Sequence, residues 1–267
     1  MKLAFVVLLL FANLLSAANP AANEQASSFL TLGGIYQNLG RQQEAETAYL
    51  RALATDPSST EAMNDLASLY FETHQYARAE KLLLTCLRSP GSRLATARLR
   101  GNLAVLYQAE RRYAEAGENY AAARELYELS NAASTPEMGY VLHNLGSLRL
   151  QAGDGEGALE YAERAVDIWR ESLGPENPVY AEGLPQLAII YARCGRRADA
   201  DAAWMRSVAV LEKALGPGHP TTVRVLEAYA AFLRQSGQKA EARKIRRRIS
   251  GSVAGPGIVD YRELLEK

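Results

Sequence analysis

Histidine and cysteine are scarce. Three histidines and two cysteines in 267 residues leave little material for a metal centre or a reactive thiol. None of His74, His143 and His219 has a ligand companion four residues on, and there is no His-Glu-x-x-His. A Gly-x-Ser-x-Gly elbow and a phosphate loop are also missing. Gly153-Asp-Gly-Glu-Gly157 is glycine-rich but lacks the ligand spacing of a calcium loop. Carboxylates are plentiful, yet no pair stands out. We therefore expect no catalytic residues, no metal and no cofactor. Charge of one sign is missing too: 30 Lys and Arg stand against 30 Asp and Glu. That balance argues against nucleic acid or an anionic surface as the general partner of the chain.

Long apolar runs are absent except at the start. Met1-Lys2 precedes a run from Leu3 to Leu15 that is apolar save for Asn13. Ser16-Ala-Ala18 then offers small residues for a signal peptidase. A membrane span needs ~20 apolar residues, so the shorter run reads as a signal peptide cleaved after Ala18, with an uncleaved anchor as the alternative. The expectation is export to a periplasmic or extracellular space, with no integral membrane segment after cleavage. The domain scheme is signal peptide 1–18, a short linker 19–25, a folded array 26–249 and a tail 250–267. The tail opens flexibly at Gly251–Gly257, and Asp260-x-x-Glu263 then caps a short helix.

What is present is a repeat. The connector Leu173-Gly-Pro-Glu-Asn-Pro178 returns as Leu215-Gly-Pro-Gly-His-Pro220. Working outward, an apolar residue followed by Gly or Ala recurs at Leu32-Gly33, Leu66-Ala67, Leu103-Ala104, Leu145-Gly146, Leu187-Ala188 and Tyr229-Ala230. The step grows from about 34 to about 42 residues and then holds constant, and periods of this size mark stacked arrays. Twelve residues after each Gly or Ala stands an alanine: Ala45, Ala79, Ala116, Ala158, Ala200 and Ala242. Small residues recur where helices cross closely. Turn signals separate the two helices of a unit, as in Asn38-Leu-Gly40, Arg193-Cys-Gly195 and Gln235-Ser-Gly237. Pro136, Pro178 and Pro220 suit a first helical turn. Ser58-x-x-Glu61 and Ser134-x-x-Glu137 fit capping boxes. The extra residues of the longer unit lengthen its second helix.

This pattern resembles the tetratricopeptide repeat, and the first unit matches at Leu32, Gly33, Tyr36, Ala45, Tyr49, Ala52 and Pro57. The later units resemble the longer kinesin light chain type. The resemblance implies an all-α, right-handed superhelical solenoid of about six helix-turn-helix repeats. It also implies a concave groove that binds a protein or an extended peptide. At 100° per residue, the face opposite the packing stripe supplies the groove candidates. In the second and third units it holds Glu61, Asn64, Asp65, Arg98 and Asn102. Beyond them come Tyr140, His143 and Asn144, then Glu182, Gln186 and Arg193, then Arg224. Asp65, Asn102, Asn144 and Gln186 share one position. By resemblance, Asn102 and Asn144 are nominated to hold a peptide backbone, since an amide both donates and accepts. The alternative, left open, is that these amides bond to neighbouring helices. The carboxylate clamp of chaperone-binding members is missing.

Pro185 falls inside a helix and frees the carbonyl of Ala181 for a ligand or, in the preferred reading, for solvent. Arg149 replaces an aromatic; its stem is expected to pack and its guanidinium to reach water. Cys86 and Cys194 fall three units apart, roughly 25–30 Å if helix layers stack at ~8–10 Å, and are expected as packed thiols. The basic last helix, Lys239 to Arg248, reads as the polar cap that a terminal repeat needs, in preference to a lipid or nucleic-acid patch. The function expected is a non-enzymatic adaptor that binds a protein or peptide partner. The alternatives are an assembly component of a cell-envelope complex using its convex face or ends and, more distantly, an enzyme with an unrecognised site.

Overall fold

Each alanine that follows an anchor by twelve residues is buried: five have no exposed surface, and Ala242 keeps 6%. They mark the crossings of helix pairs in a computed structural model of the chain. The structure describes residues 20–88 and 92–253, with side chains from 23 to 250. The proposed signal segment and the last part of the tail lie outside the described residues. Among the described residues all regular structure is helical, in twelve helices. These form six antiparallel pairs, so the all-α array of about six repeats is observed.

The chain divides into two compact units, to Ser130 and from Asn131. The first holds α1 (Pro20–Asn38), α2 (Gln42–Thr55), α3 (Thr60–Glu72), α4 (Tyr76–Cys86), α5 (Arg93–Ala109) and α6 (Tyr113–Glu128). The second holds α7 (Pro136–Gln151), α8 (Gly155–Leu173), α9 (Pro178–Arg193), α10 (Arg197–Leu215), α11 (Pro220–Gln235) and α12 (Lys239–Val253). α1 begins inside the stretch read as a linker, and α12 runs into the expected tail. α8 and α10 have 19 residues each against 14 and 11 in α2 and α4, so the longer period does lengthen the second helix.

Helix ends follow the sequence signals with two shifts. Pro136, Pro178 and Pro220 each open a helix. Asn177 caps α9 by accepting from the amide of Val179, and His219, its counterpart one repeat on, accepts from Thr221 through Nδ1. The expected cap Ser58 yields to Ser59, whose hydroxyl accepts from Ala62. Ser58 instead closes a turn on Asp56. At α7 the N-cap is Thr135 rather than Ser134, and its side chain makes no cap bond. In the turns, Gly153 and Gly195 take positive φ, and His74 and Arg111 do so in the shorter units.

A clasp absent from the sequence reading ties successive pairs. Tyr70 donates to Glu46 at 2.8 Å, while Arg78 stacks on the tyrosine ring and pairs with the same carboxylate. Tyr107, Glu80 and Arg112 repeat it, and Tyr191, Glu163 and Arg196 repeat it in the second unit. The arginine satisfies a tyrosine face and a carboxylate together. Arg149, which replaces the tyrosine of this clasp, is exposed and pairs with Asp154 at 3.1 Å. Cys86 is buried and Cys194 half-buried, and both are free thiols.

Candidate functional site

In the first unit the candidate face is an open cleft. Asn64 and Asp65 stand on α3, and Arg98 and Asn102 face them from α5. A cavity of about 240 Å³ opens beside Asn64, Asp65 and Asn102, floored by Ala79, Leu83 and Leu106 and edged by Phe71. A second, of about 390 Å³, shares Asn64 and Asp65 and reaches Glu61 and Arg98. Asn102 donates through Nδ2 to Oδ1 of Asn64 at 2.7 Å. One donor is thus engaged; the amide's other donor and its acceptor remain, and the side chain is exposed. Burial holds the Asp65 carboxyl above its ordinary range, opposed by a hydrogen bond from Asn64 and aided by the nearby Glu61 charge. Arg98 is exposed at the cleft edge.

The second unit presents a more occupied face. Gln186 donates to the backbone carbonyl of His143 at 2.8 Å, so this amide joins α9 to α7. Arg224 pairs with Glu182 at 2.8 Å, joining α11 to α9 between positions one repeat apart. Asn144 is half-buried and has no side-chain hydrogen bond among the described residues. Tyr140 is 48% exposed and rests edge-on to Trp169, with ring centroids 5.0 Å apart. His143 lies 5.5 Å from the same indole, and burial pushes its imidazole down to about 4, so it is neutral at pH 7. Arg193 stands apart from this row: it lines a depression with Cys194, Leu150 and Glu156 at the α7–α8 turn.

The sequence reading missed two residues that build this face. Trp169, fully buried on α8, donates to the carbonyl of Pro136 at 3.0 Å and supports both Tyr140 and His143. A Cβ on Gly139 or Gly183 would come within 2.5 or 2.4 Å of its ring. Those two glycines, in helices with no other need for them, were the available signal. The second is Ser207 on α10. Its buried hydroxyl donates at 2.7 Å to the carbonyl of Ala181, which Pro185 deprives of its helical donor. That carbonyl therefore meets neither ligand nor solvent, a correction to both readings.

No helix among the described residues is long and apolar enough to cross a membrane. Among those residues no group of three or more His, Cys, Asp or Glu side chains is placed to hold a metal ion.

An array of paired helices with small residues at each crossing defines a helical-repeat protein. The family models for the tetratricopeptide repeat match residues 26–59, 48–81, 93–171, 137–192 and 182–248, and the chain belongs to that family. It is 35% identical over 107 residues to Photosystem I assembly protein Ycf3 of Rippkaea orientalis, covering 40% of this chain and 54% of that one. It is 24% identical over 224 residues to Protein KINESIN LIGHT CHAIN-RELATED 3 of Arabidopsis thaliana, covering 79% and 34%. Type IV pilus assembly protein PilF of Pseudomonas aeruginosa is 28% identical over 148 residues, covering 55% of each. A solved structure of Pseudomonas aeruginosa PilF superposes with TM-score 0.65 at 22% identity, over 92% of this chain and 99% of that one, a likeness of fold. The chain spans about half or less of the curated relatives it matches.

Proposed function

We propose that the chain is an exported, non-enzymatic adaptor that captures a protein or extended peptide on the concave face of its repeats. The observation that carries this reading is the first-unit cleft, where Asn102 keeps unused donor and acceptor capacity above an apolar floor. An extended segment offers alternating amides and carbonyls to such a group, and a side chain to the floor. Within the second unit Asn144, without an internal partner, is the candidate anchor, and Tyr140 offers an exposed ring beside it. Gln186 and Arg224 contribute by holding the face in shape, since both are engaged between helices. Export rests on the apolar run from Leu3 to Leu15 and the small residues after it.

A pull-down from the exported fraction, wild type against Asn102→Ala/Asn144→Ala, tests the groove. Loss of partner capture with unchanged folding is expected; undiminished capture sinks the groove reading. N-terminal sequencing of the mature chain tests export, with Asn19 expected first.

A second reading is an assembly component that uses its convex face or ends. It is favoured by two relatives named for assembly, Ycf3 and PilF. Capture that survives the double substitution but fails when the ends are altered selects it.

A further inference from the structure

α12 closes the second unit. It packs on α11 through Ala242 and Ile245, which are buried, and no further helix among the described residues covers its other side. At 100° per residue, Lys239, Arg243 and Arg247 fall on one stripe facing away from Ile245, and Arg246 borders it, about 100° round from Ile245. All four are exposed. The remaining cations of the helix lie on its flanks and are neutralised: Lys244 pairs with Glu241 at 2.8 Å, and Arg248 with Glu212 at 2.6 Å. The stripe carries no carboxylate, and none of its four cations is ion-paired among the described residues.

A terminal repeat needs a polar outer face to stay soluble. That requirement is indifferent to sign, and the chain as a whole carries equal numbers of acids and bases. A stripe of a single sign goes beyond it. Between Lys239 and Ser250 the stripe runs for ~16 Å at 1.5 Å per residue. Its outward positions hold only Lys, Arg, Ser and Ala240, with no aromatic ring to stack on a base and no amide to read a base edge.

We propose that the outer face of α12 is a docking surface for an anionic lipid bilayer. A bilayer offers many phosphates in one plane, and a straight row of guanidinium groups meets several at once. The attachment is electrostatic and reversible, because no apolar side chain on the stripe is available to insert. It uses none of the groove residues, so it is independent of the groove reading.

Co-sedimentation of the full chain with vesicles tests it, using phosphatidylcholine alone and phosphatidylcholine with about 30% phosphatidylglycerol, at low and at high salt. Wild type is expected to bind the anionic vesicles, to ignore the neutral ones and to detach as salt rises. Each cation near such a surface contributes about fivefold to partitioning, so Arg243→Glu/Arg246→Glu/Arg247→Glu is expected to cost on the order of a hundredfold or more. Thermal melting should stay close to wild type, since the three side chains point outward. If the triple variant folds poorly, Arg246→Gln/Arg247→Gln provides the comparison, with a loss of on the order of tenfold or more. The proposal is overturned if wild type fails to bind anionic vesicles at low salt, if it binds neutral vesicles equally, or if the variants bind as wild type does. A short DNA duplex that strips the protein from vesicles at equal phosphate also overturns it, in favour of nucleic acid.

Discussion

The two units are made from the same repeat and solve the same packing problem differently. In the first, second helices of 14, 11 and 16 residues cross at alanines, and the inner face keeps a cleft between Asn64 and Asn102. In the second, two 19-residue helices reach further, and the space is filled by an indole, an imidazole, an amide-to-carbonyl bond and an ion pair. Register distinguishes the short first repeat from the longer ones. Trp169 stands eleven positions after Ala158; Tyr127 and Leu211 hold the same place after Ala116 and Ala200. In the first repeat that place is Asp56, one residue past the end of α2. A longer helix creates a packing position that a shorter one lacks. The longer second helix thus carries a buried side chain where the first repeat has only a turn residue.

The largest effect expected from breaking this contrast is at the indole. Trp169→Ala removes a fully buried side chain held between Gly139 and Gly183. It should destabilise the second unit by about 3–5 kcal/mol. Asp56→Ala, at the equivalent place in the first unit, loses the turn bonds from Ser58 and should cost about 1 kcal/mol. Hydrogen exchange of amides in each unit separates the two. Similar protection losses would show that register does not distinguish them.

Acid should act in opposite directions through one group in each unit. His143 titrates near 4 in the folded chain because burial disfavours its cation, against an ordinary 6.5. Its stabilising contribution is present above about 6.5 and lost as pH falls towards 4, up to about 3 kcal/mol in the limit of a rigid fold. Asp65 is held above its ordinary range, chiefly by burial, so protonation favours the folded first unit as pH falls through that raised value. His143→Gln should flatten the acid limb of the second unit, and Asp65→Asn should remove the opposing slope of the first. Urea midpoints at pH 7 and pH 4 measure both.

A third contrast is the proline, since no first helix of the first unit carries one in its interior. Ser207→Ala orphans the buried carbonyl of Ala181 and should cost about 1–3 kcal/mol. Adding Pro185→Ala restores a backbone N–H four residues on and should recover much of that loss, since the helix can then close its own bond. A double-mutant cycle on urea midpoints reads the coupling; strict additivity would refute it.

The fold was legible because its signals are local and periodic. Six small residues, six alanines and three N-terminal prolines state the helix pairs before any contact is known. The second-unit site was not, because it is made by contacts between helices of different repeats. Trp169 looked like one more apolar residue of a long helix, and only the flanking Gly139 and Gly183 hinted at its bulk. Pro185 announced a missing hydrogen bond, but the replacement donor, Ser207, lies 26 residues along the chain from Ala181. Asp65, Asn102, Asn144 and Gln186 share one position of the repeat in the sequence. What each amide bonds to depends on the neighbouring helix: Asn64 for Asn102, the backbone of His143 for Gln186. A helical wheel does not contain that neighbour.

The smallest effects on stability sharpen the functional contrast. Arg224→Ala removes an exposed ion pair with Glu182, and Asn102→Ala removes an exposed amide bond to Asn64. Each should change stability by less than about 1 kcal/mol, and salt should erase the first but not the second. Partner capture should separate them further. The Arg224 charge is already neutralised by Glu182, so its removal should leave capture within about twofold, a change worth under ~0.5 kcal/mol. Asn102 stands over an open floor with capacity to spare, so its loss should weaken capture by about tenfold, the worth of one well-placed hydrogen bond in a desolvated site. If Arg224→Ala proves the more damaging of the two, the filled face rather than the open one is where the partner sits.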